Sequence, residues 1–500
     1  MVVTWFSQIK YYDLATWVAR GALISTLAGC TLGPDFVRPK PPSSANYNYG
    51  RDPLATVPVH GQSQSFGKDV GLVANWWNLF NSKQLNEAVA EGLANNLDLE
   101  AAQASLRQSN SNLQAGFGIF YPQISAGFNS TRQLFSPSRI GSTAPGSIFN
   151  LATLSASVNY TLDIFGGVRR TIENLQSQVD VQRYTVLGTY LTLSGNIVNT
   201  TIAMAAYRDQ VTCIEQLIAL QKEQIDIAEK QNQSGMVTYA IVLNLRNQLA
   251  FFEASLPPLR QRLSQSEHLL SSLAGHAPSE WLPPPVSMSD LSLPSKLPLS
   301  LPSELVRQRP DILMAEAKLH GASANIGVAM AAQFPSFTLN GTYGQNARSM
   351  ANLFGKNANF WSVGTNILAP LYNGGTLSAK RQAAIDEYQQ NLALYRQVVL
   401  SAFVQVADTV RALEHDAETM QAESESVKFS EDSLHLMQVN YQAGMINYLQ
   451  VLVADIQYHQ AKLGYLQAQA QRLQDTTALF VALGGGWWNK VGVSDDSGHP

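Results

Sequence analysis

Two stretches of the sequence, QSGMVTYAIVL at 233–243 and QAGMINYLQVL at 442–452, match each other. Each places a Gly-Met pair after one long amphipathic run and before another, and Gly235 and Gly444 lie 209 residues apart. A glycine between two amphipathic helical runs is typical of the turn of a helical hairpin. The stretches therefore predict two hairpin tips, one in each half of a duplicated chain.

The duplication extends well beyond the two tips. Tyr121-Pro122 recurs as Phe334-Pro335 at an offset of 213 residues. After each pair the hydrophobic period changes from helical to alternating, which is typical of strands with one apolar and one polar face. We therefore predict four strands, at about 123–133, 149–163, 336–346 and 359–369.

Long helices are predicted on both sides of each pair of strands. A helix that opens at Trp76 is expected to run to about Phe117, with a counterpart at about 302–332. In the second half, apolar residues recur every seven positions from Ile385 to Tyr441. A heptad sustained this long predicts a coiled coil, and a helix of about 66 residues spans on the order of 100 Å.

Proline marks the boundaries and interruptions of these elements. Pro257 and Pro258 interrupt the returning helix of the first half, so we expect a kink or break there. The fold class is predicted to be α+β with an internal two-fold repeat. The chain divides into a signal peptide at 1–29, a tether at 30–75, a first repeat at 76–275, a Pro-rich linker at 276–302, a second repeat at 303–486 and a tail at 487–500.

The first 30 residues have the features of an export signal. Lys10 and Arg20 supply positive charge, a short apolar run follows, and the tetrad LAGC ends at Cys30. That tetrad resembles a bacterial lipobox, which implies that Cys30 is diacylated and becomes the mature N-terminus. An ordinary secretory signal that holds a cysteine is the alternative, and the long apolar start leaves a downstream initiator open.

No run of about 18 apolar residues occurs, so no helix is predicted to cross a membrane. Residence in a membrane therefore requires the strands or a lipid. Strands of about ten residues are long enough to cross an outer membrane. Four strands are too few to close a barrel, so several chains must contribute to one. A soluble two-sheet sandwich is the alternative.

The sequence lacks signals for nucleic-acid binding and for catalysis. The net charge is −4 with Lys and Arg scattered, so no basic tract is available for nucleic acid. No nucleophile, metal or phosphate motif occurs, and the histidines, His435 and His459 among them, show no ligand-like pairing. Cys213 is predicted to be a buried structural thiol. We expect no enzyme, no metal and no cofactor apart from lipid on Cys30.

Short motifs lie near both ends and in the middle of the chain. They are GPDF at 33–36, WW at 76–77, LPSEL at 301–305, RPDI at 309–312 and ALGGGW at 482–487. Together they resemble the TolC-like outer-membrane efflux protein family, in its OprM- and NodT-type lipoprotein branch. The resemblance covers nearly the whole mature chain.

That resemblance implies an architecture and a role. Three chains would form a homotrimer, with four transmembrane β-strands from each building one twelve-stranded barrel, and antiparallel coiled-coil α-hairpins would continue it as a periplasmic tunnel. The assembly would be a lipid-anchored channel in the bacterial outer membrane, extending into the periplasm. It would passively conduct drugs or other small solutes that arrive from an inner-membrane efflux pump through a periplasmic adaptor protein.

The resemblance also suggests two kinds of site residue. The hairpin tips would contact the adaptor, through Gly235 with Met236 and Gly444 with Met445. The start of the last helix would form the periplasmic gate, where the family pattern has Tyr-Leu and then an acid one turn later.

This chain departs from that gate pattern, because Val453 stands at the acidic position after Leu449. Asp455 points about 200° away from Val453 on an ideal helix. The expected gate is therefore an apolar ring of Leu449 and Val453, and a charged ring is in doubt. A coiled-coil core position is an equal alternative for Leu449.

Other functions stay open beside the efflux duct. The same architecture would suit the outer-membrane duct of a type I protein secretion system. A purely structural coiled-coil lipoprotein of the cell envelope with a soluble sheet cap is another alternative. A wall hydrolase lacks any nucleophile, metal or carboxylate-pair signal.

Overall fold

The structure of the protein is a computed structural model. It describes residues 31–489 except 45, 51, 60, 62, 68, 69, 137–140, 142 and 144. The predicted signal peptide and Cys30 lie outside the described residues, as does the predicted tail beyond Asn489.

Within the described residues, the helices and strands alternate in two similar series. The strands are β1 (Ser65–Gly67), β2 (Gln123–Phe135), β3 (Ser147–Leu162), β4 (Lys296–Pro298), β5 (Ser336–Ala347) and β6 (Asn359–Leu368). The helices are α1 (Lys83–Asn95), α2 (Leu97–Phe117), α3 (Gly167–Gln233), α4 (Tyr239–Leu273), α5 (Pro302–Gln308), α6 (Pro310–Ala331), α7 (Thr376–Gln442) and α8 (Tyr448–Ala482). No helix among these residues is long and apolar enough to cross a membrane.

The four long strands form one antiparallel sheet in the order β2-β3-β5-β6. The hairpin of β2 and β3 reaches the pair Phe135–Ser147, and β3 pairs with β5 across the two halves of the chain, from Leu162–Phe337 to Ala152–Ala347. Each ladder keeps one register throughout. Side chains therefore alternate cleanly between two faces of the sheet.

The two predicted helices before the strands are each divided in two, which corrects the expectation of continuous helices. Asn96 separates α1 from α2, and Arg309 separates α5 from α6, both with an extended backbone. Pro310 excludes the helical conformation at Arg309 because the proline ring clashes with the preceding residue. The Asn96 side chain accepts a hydrogen bond from the N–H of Leu99 and so caps α2.

Of the kink or break expected at Pro257 and Pro258, the break does not occur, because α4 runs through both prolines from Tyr239 to Leu273. Each proline removes one backbone N–H, which frees the carbonyls of Glu253 and Ala254. These two residues and both prolines are exposed. Water can therefore bond the freed carbonyls, and the helix continues on its solvent side.

The chain divides into two compact units. One unit holds the four-stranded sheet with the helix ends next to it, and comprises Leu106–Gln182 and Ala315–Tyr395 together with the described residues up to Arg38. Its apolar cluster contains Leu113, Ile172 and Val179.

The other unit comprises Pro39–Ser105, Arg183–Met314 and the chain from Arg396 onward. Its largest buried side chains include Trp76 and Phe480, whose rings stack with centroids 5.3 Å apart. Truncating either aromatic ring to alanine would cost about 3–5 kcal/mol of stability. Both hairpin tips belong to this unit.

Candidate functional site

The first hairpin tip is a tight turn whose geometry requires glycine. The N–H of Gly235 donates to the carbonyl of Asn232, and the N–H of Met236 donates to that of Gln231, both at 2.9 Å. These two bonds satisfy the last carbonyls of α3 and define a Schellman helix end. Gly235 has a φ of 74°, in the left-handed region that side chains rarely adopt.

The second tip has the same backbone arrangement. The N–H of Gly444 donates to Tyr441 and the N–H of Met445 to Asn440, again at 2.9 Å, and Gly444 also has a φ of 74°. Met236 is 70% exposed and Met445 68% exposed. Each tip therefore presents a flexible apolar side chain to its surroundings on a rigid turn.

The two tips differ in how the returning helix begins. Asn447 caps α8, since its Oδ1 accepts from the N–H of Gln450 at 3.2 Å. Thr238, at the equivalent position before α4, makes no such bond, and Asn232 instead donates to the carbonyl of Val237 at 2.8 Å. The second tip thus carries the stronger N-terminal cap.

The predicted gate residues lie on one side of α8, one turn apart. Val453 is 43% exposed and Leu449 is half-buried at the edge of the exposed side. Leu452 and Ile456 are buried against the rest of the unit. An apolar ring of Leu449 and Val453 stays a prediction, as does a core role for Leu449.

Asp455 faces a different partner from Val453. Its carboxylate lies 3.5 Å from Nε2 of His459, the next turn of α8. Burial raises the pKa of Asp455 above its ordinary value, His459 opposes this shift, and Glu223 of α3 adds to it. Burial lowers the pKa of His459. The Asp455 carboxylate thus has its partner, His459, on the same helix.

Cys213 contacts the same histidine but lacks the chemistry of a nucleophile. Its Sγ lies 3.9 Å from Nδ1 of His459 and donates to the carbonyl of that residue at 3.2 Å. Burial raises the pKa of Cys213 to about 11, so the thiol stays protonated near neutral pH. The sequence prediction of a buried thiol at this position is confirmed.

A buried polar cluster, which we name the Arg472 cluster, escaped the sequence reading. Arg472 is 1% exposed, and its guanidinium donates to Oε1 of Gln64 at 2.9 Å and to Oγ1 of Thr56 at 3.1 Å. The carboxyl groups of Asp416 and Asp475 lie close to each other and to the Arg472 guanidinium. Burial and the hydrogen bond and charge of Asp475 raise the pKa of Asp416 to about 7, against the opposing charges of Arg472 and His415.

The first described residues, 31–38, are clamped in the sheet-bearing unit. Arg170 is buried and donates to the carbonyls of Leu32 at 3.2 Å and Gly33 at 3.3 Å, and to the Asp35 carboxylate at 2.7 Å. The N–H of Leu32 donates to the carbonyl of Phe165 at 3.2 Å, in the turn between β3 and α3. The segment after Cys30 is therefore fixed at the junction of sheet and helix.

No group of three or more potential metal ligands occurs in the described part of the chain. The sequence signals found the tips because turn chemistry and periodicity are local. They missed the contacts of α3 with α8, of Arg472 with residues 56–64 and of Arg170 with residues 32–35, because these join residues far apart in the sequence.

Comparison with known proteins gives a consistent result. The family model described as "Outer membrane efflux protein" matches residues 88–276 and 301–485. The pyoverdine export outer membrane protein OpmQ of Pseudomonas putida is 29% identical over 436 residues, which cover 86% of this chain and 92% of OpmQ. The probable efflux pump outer membrane protein TtgC of the same species is 27% identical over 472 residues, covering 94% of this chain and 95% of TtgC.

Solved structures share the fold. The outer-membrane channel OprN aligns with a TM-score of 0.79 at 25% identity, covering 92% of this chain and 100% of OprN. The CmeC outer membrane channel of Campylobacter jejuni aligns with a TM-score of 0.81 at 19% identity, covering 92% of this chain and 96% of CmeC.

Proposed function

Because the chain belongs to the outer membrane efflux protein family, we propose that three copies form the exit duct of a tripartite efflux pump. As a member of that family it is an outer-membrane efflux channel. In the proposed assembly it takes small solutes from an inner-membrane pump through a periplasmic adaptor. The chain only conducts them and catalyses no reaction.

The single observation that carries this proposal is the four-stranded sheet with two open edges. Among the residues that the structure describes, β2 and β6 each pair on one side only, and every residue of β2 is exposed. Unpaired backbone groups cost several kcal/mol each in lipid. Pairing of β6 with β2 of the next chain in a closed ring of three would satisfy both edges and give the twelve-stranded barrel.

The two tips support a docking role. Gly235 and Gly444 hold the turns, and Met236 and Met445 offer exposed thioether side chains that adapt to irregular partner surfaces. We propose that the periplasmic adaptor binds here. The repetition of one backbone geometry at both tips would let similar adaptor surfaces engage each tip.

The gate is proposed to close through packing. Leu449 and Val453 would meet their counterparts from the other two chains as an apolar ring, and water leaves a narrow apolar constriction. Asp455 is held by His459, which supports an uncharged ring.

The lipid anchor is proposed at Cys30. Its support is the LAGC tetrad of the sequence together with the Arg170 clamp on the residues that follow. The clamp lies at the start of α3, a few residues after β3, and β3 is one of the strands proposed to enter the membrane.

Conductance across a planar lipid bilayer tests the proposed duct. Purified full-length protein should run as a trimer and show a small conductance in its closed state. Leu449→Ser with Val453→Ser should raise this conductance by at least about tenfold, because a polar ring stays wet. Gln467→Ser, at an exposed site about four turns from Val453 on the same helix, is the matched control and should leave the conductance unchanged. A protein that stays monomeric, or a double variant that passes no ions, contradicts the proposal.

A further inference from the structure

One face of the four-stranded sheet is polar, and none of its positions within the four strands carries a charged residue. It consists of the odd-numbered residues of β2 and β3 and the even-numbered residues of β5 and β6, since each ladder keeps one register. Ser, Thr, Asn, Gln and Gly occupy most of these positions, as in the adjacent pairs Gln123–Asn159 and Ser157–Thr342. Large apolar side chains on this polar face are therefore exceptions.

Three of those exceptions are phenylalanines. All three lie near the strand ends that face the loops between β2 and β3 and between β5 and β6, which we call the loop end of the sheet. Phe135 ends β2, Phe149 is the second polar-face position of β3, and Phe360 is the first of β6. Leu151 follows Phe149 on the same face, and Leu368 lies at the opposite end of β6. The aromatic side chains thus gather where β2 leads to β3 and β5 leads to β6.

Two of the rings are held in place by specific neighbours. The Arg348 guanidinium lies over the Phe149 ring, 5.0 Å from its centroid, in a cation–π contact. Phe360 pairs with Gly344, and a Cβ added at Gly344 would come 2.9 Å from the Phe360 ring. The missing side chain at Gly344 gives that ring room to lie across the strand.

We propose that Phe135, Phe149 and Phe360 form an aromatic collar around the solute path at the loop end of the sheet, a second barrier to water and ions. This inference rests on the proposed function, because the polar face lines a solute path only when the strands of three chains form one barrel. Three chains contribute nine rings. The collar is distinct from the predicted gate of Leu449 and Val453, which belongs to the other unit.

The physical basis is the contrast between the collar and the rest of the polar face. Hydroxyl and amide side chains bond water and keep a lining wet, whereas an apolar constriction expels water and blocks ions. An apolar ring also offers stacking surface to a solute with an aromatic or other apolar part. Solutes of this kind would cross the collar while hydrated salt ions are held back.

Single-channel conductance of a gate-opened trimer tests the collar. Full-length protein with Leu449→Ser and Val453→Ser is the background, so that the gate no longer dominates the resistance. Phe135→Ala, Phe149→Ala and Phe360→Ala together should raise the conductance of this background by at least about twofold. Phe149→Gln alone, which keeps a long side chain but adds polarity, should raise it in the same direction. This single variant also decides the question if the triple variant does not assemble.

The matched control lies at the same end of the sheet on its other face. Leu134→Ala with Ile148→Ala changes exposed side chains of neighbouring positions and should leave the conductance unchanged. An equal rise in this control, or no rise in either collar variant, overturns the collar and leaves the duct intact. A background that passes no ions at all contradicts the proposed function instead.

Discussion

The carboxyl pair of Asp416 and Asp475 predicts how the stability of the hairpin depends on pH. The pKa of Asp416 is raised from 3.8 to about 7 in the folded chain. Between these two values the folded state keeps a proton that the unfolded state releases, so the free energy of unfolding falls as the pH rises from about 4 to about 7. Below this pH window the raised pKa of Asp416 does not change the free energy of unfolding. Above the window, the full loss of stability persists.

The magnitude follows from the shift. Each pKa unit corresponds to about 1.4 kcal/mol, so a shift of about three units sets a ceiling of about 4 kcal/mol. Asp416 is only half-buried, so screening by solvent reduces the expected penalty to about 1–2 kcal/mol.

Asp416→Asn removes the titration while it keeps a hydrogen-bond donor toward Asp475, as the protonated acid does. We expect the variant to match the parent near pH 4 and to be more stable by about 1–2 kcal/mol at pH 8. Thermal unfolding of the detergent-solubilised protein across this range measures the difference. Glu418→Gln, an exposed acid on the same helix, is the control. Equal pH dependence of parent and Asp416→Asn would refute the reasoning.

Three further predictions concern the turns and the N-terminal segment. Gly444→Ala should lower the free energy of unfolding by about 1 kcal/mol, because φ is 74° at this residue. The control Gly118→Ala should not, because the added Cβ meets no atom within 4 Å. Equal melting temperatures of the two variants would contradict this prediction. Arg170→Ala should release residues 32–38 and speed their cleavage in limited proteolysis, whereas exposed Arg107→Ala should not; equal cleavage rates would count against the clamp. Cys30→Ser should abolish fatty-acid labelling of the protein, and persistent label would disprove lipidation at this residue.

The sequence was informative where structure depends on local pattern. Gly235 and Gly444 could be found because a left-handed turn between two amphipathic runs requires glycine. The alternating residues from Ile124 to Phe128 marked a strand because the two faces of a sheet differ in polarity. The predicted family and its α+β fold are likewise confirmed by the family match and the structural alignments.

What could not be predicted depends on contacts between distant residues. Arg472 has no local signal that sets it apart from a surface arginine, and only the fold brings Gln64 and Thr56 to its guanidinium. The two prolines of α4 do not break the helix, because their effect depends on exposure: in water a freed carbonyl finds a partner, and in a core it would not. Arg309 was read as part of a continuous helix although the proline after it disfavours that conformation.

The pairing of β3 with β5 has a consequence for symmetry. It joins the two halves of the chain into one ladder. Because both hairpins belong to one polypeptide, their sequences need not stay alike. The tips have kept the same backbone bonds, yet Ala240 and Asn244 stand in the first where Leu449 and Val453 stand in the second. In the proposed ring of three chains there would be six similar turns, related only by three-fold symmetry. One hairpin of each chain can therefore specialise while its twin keeps the shared frame.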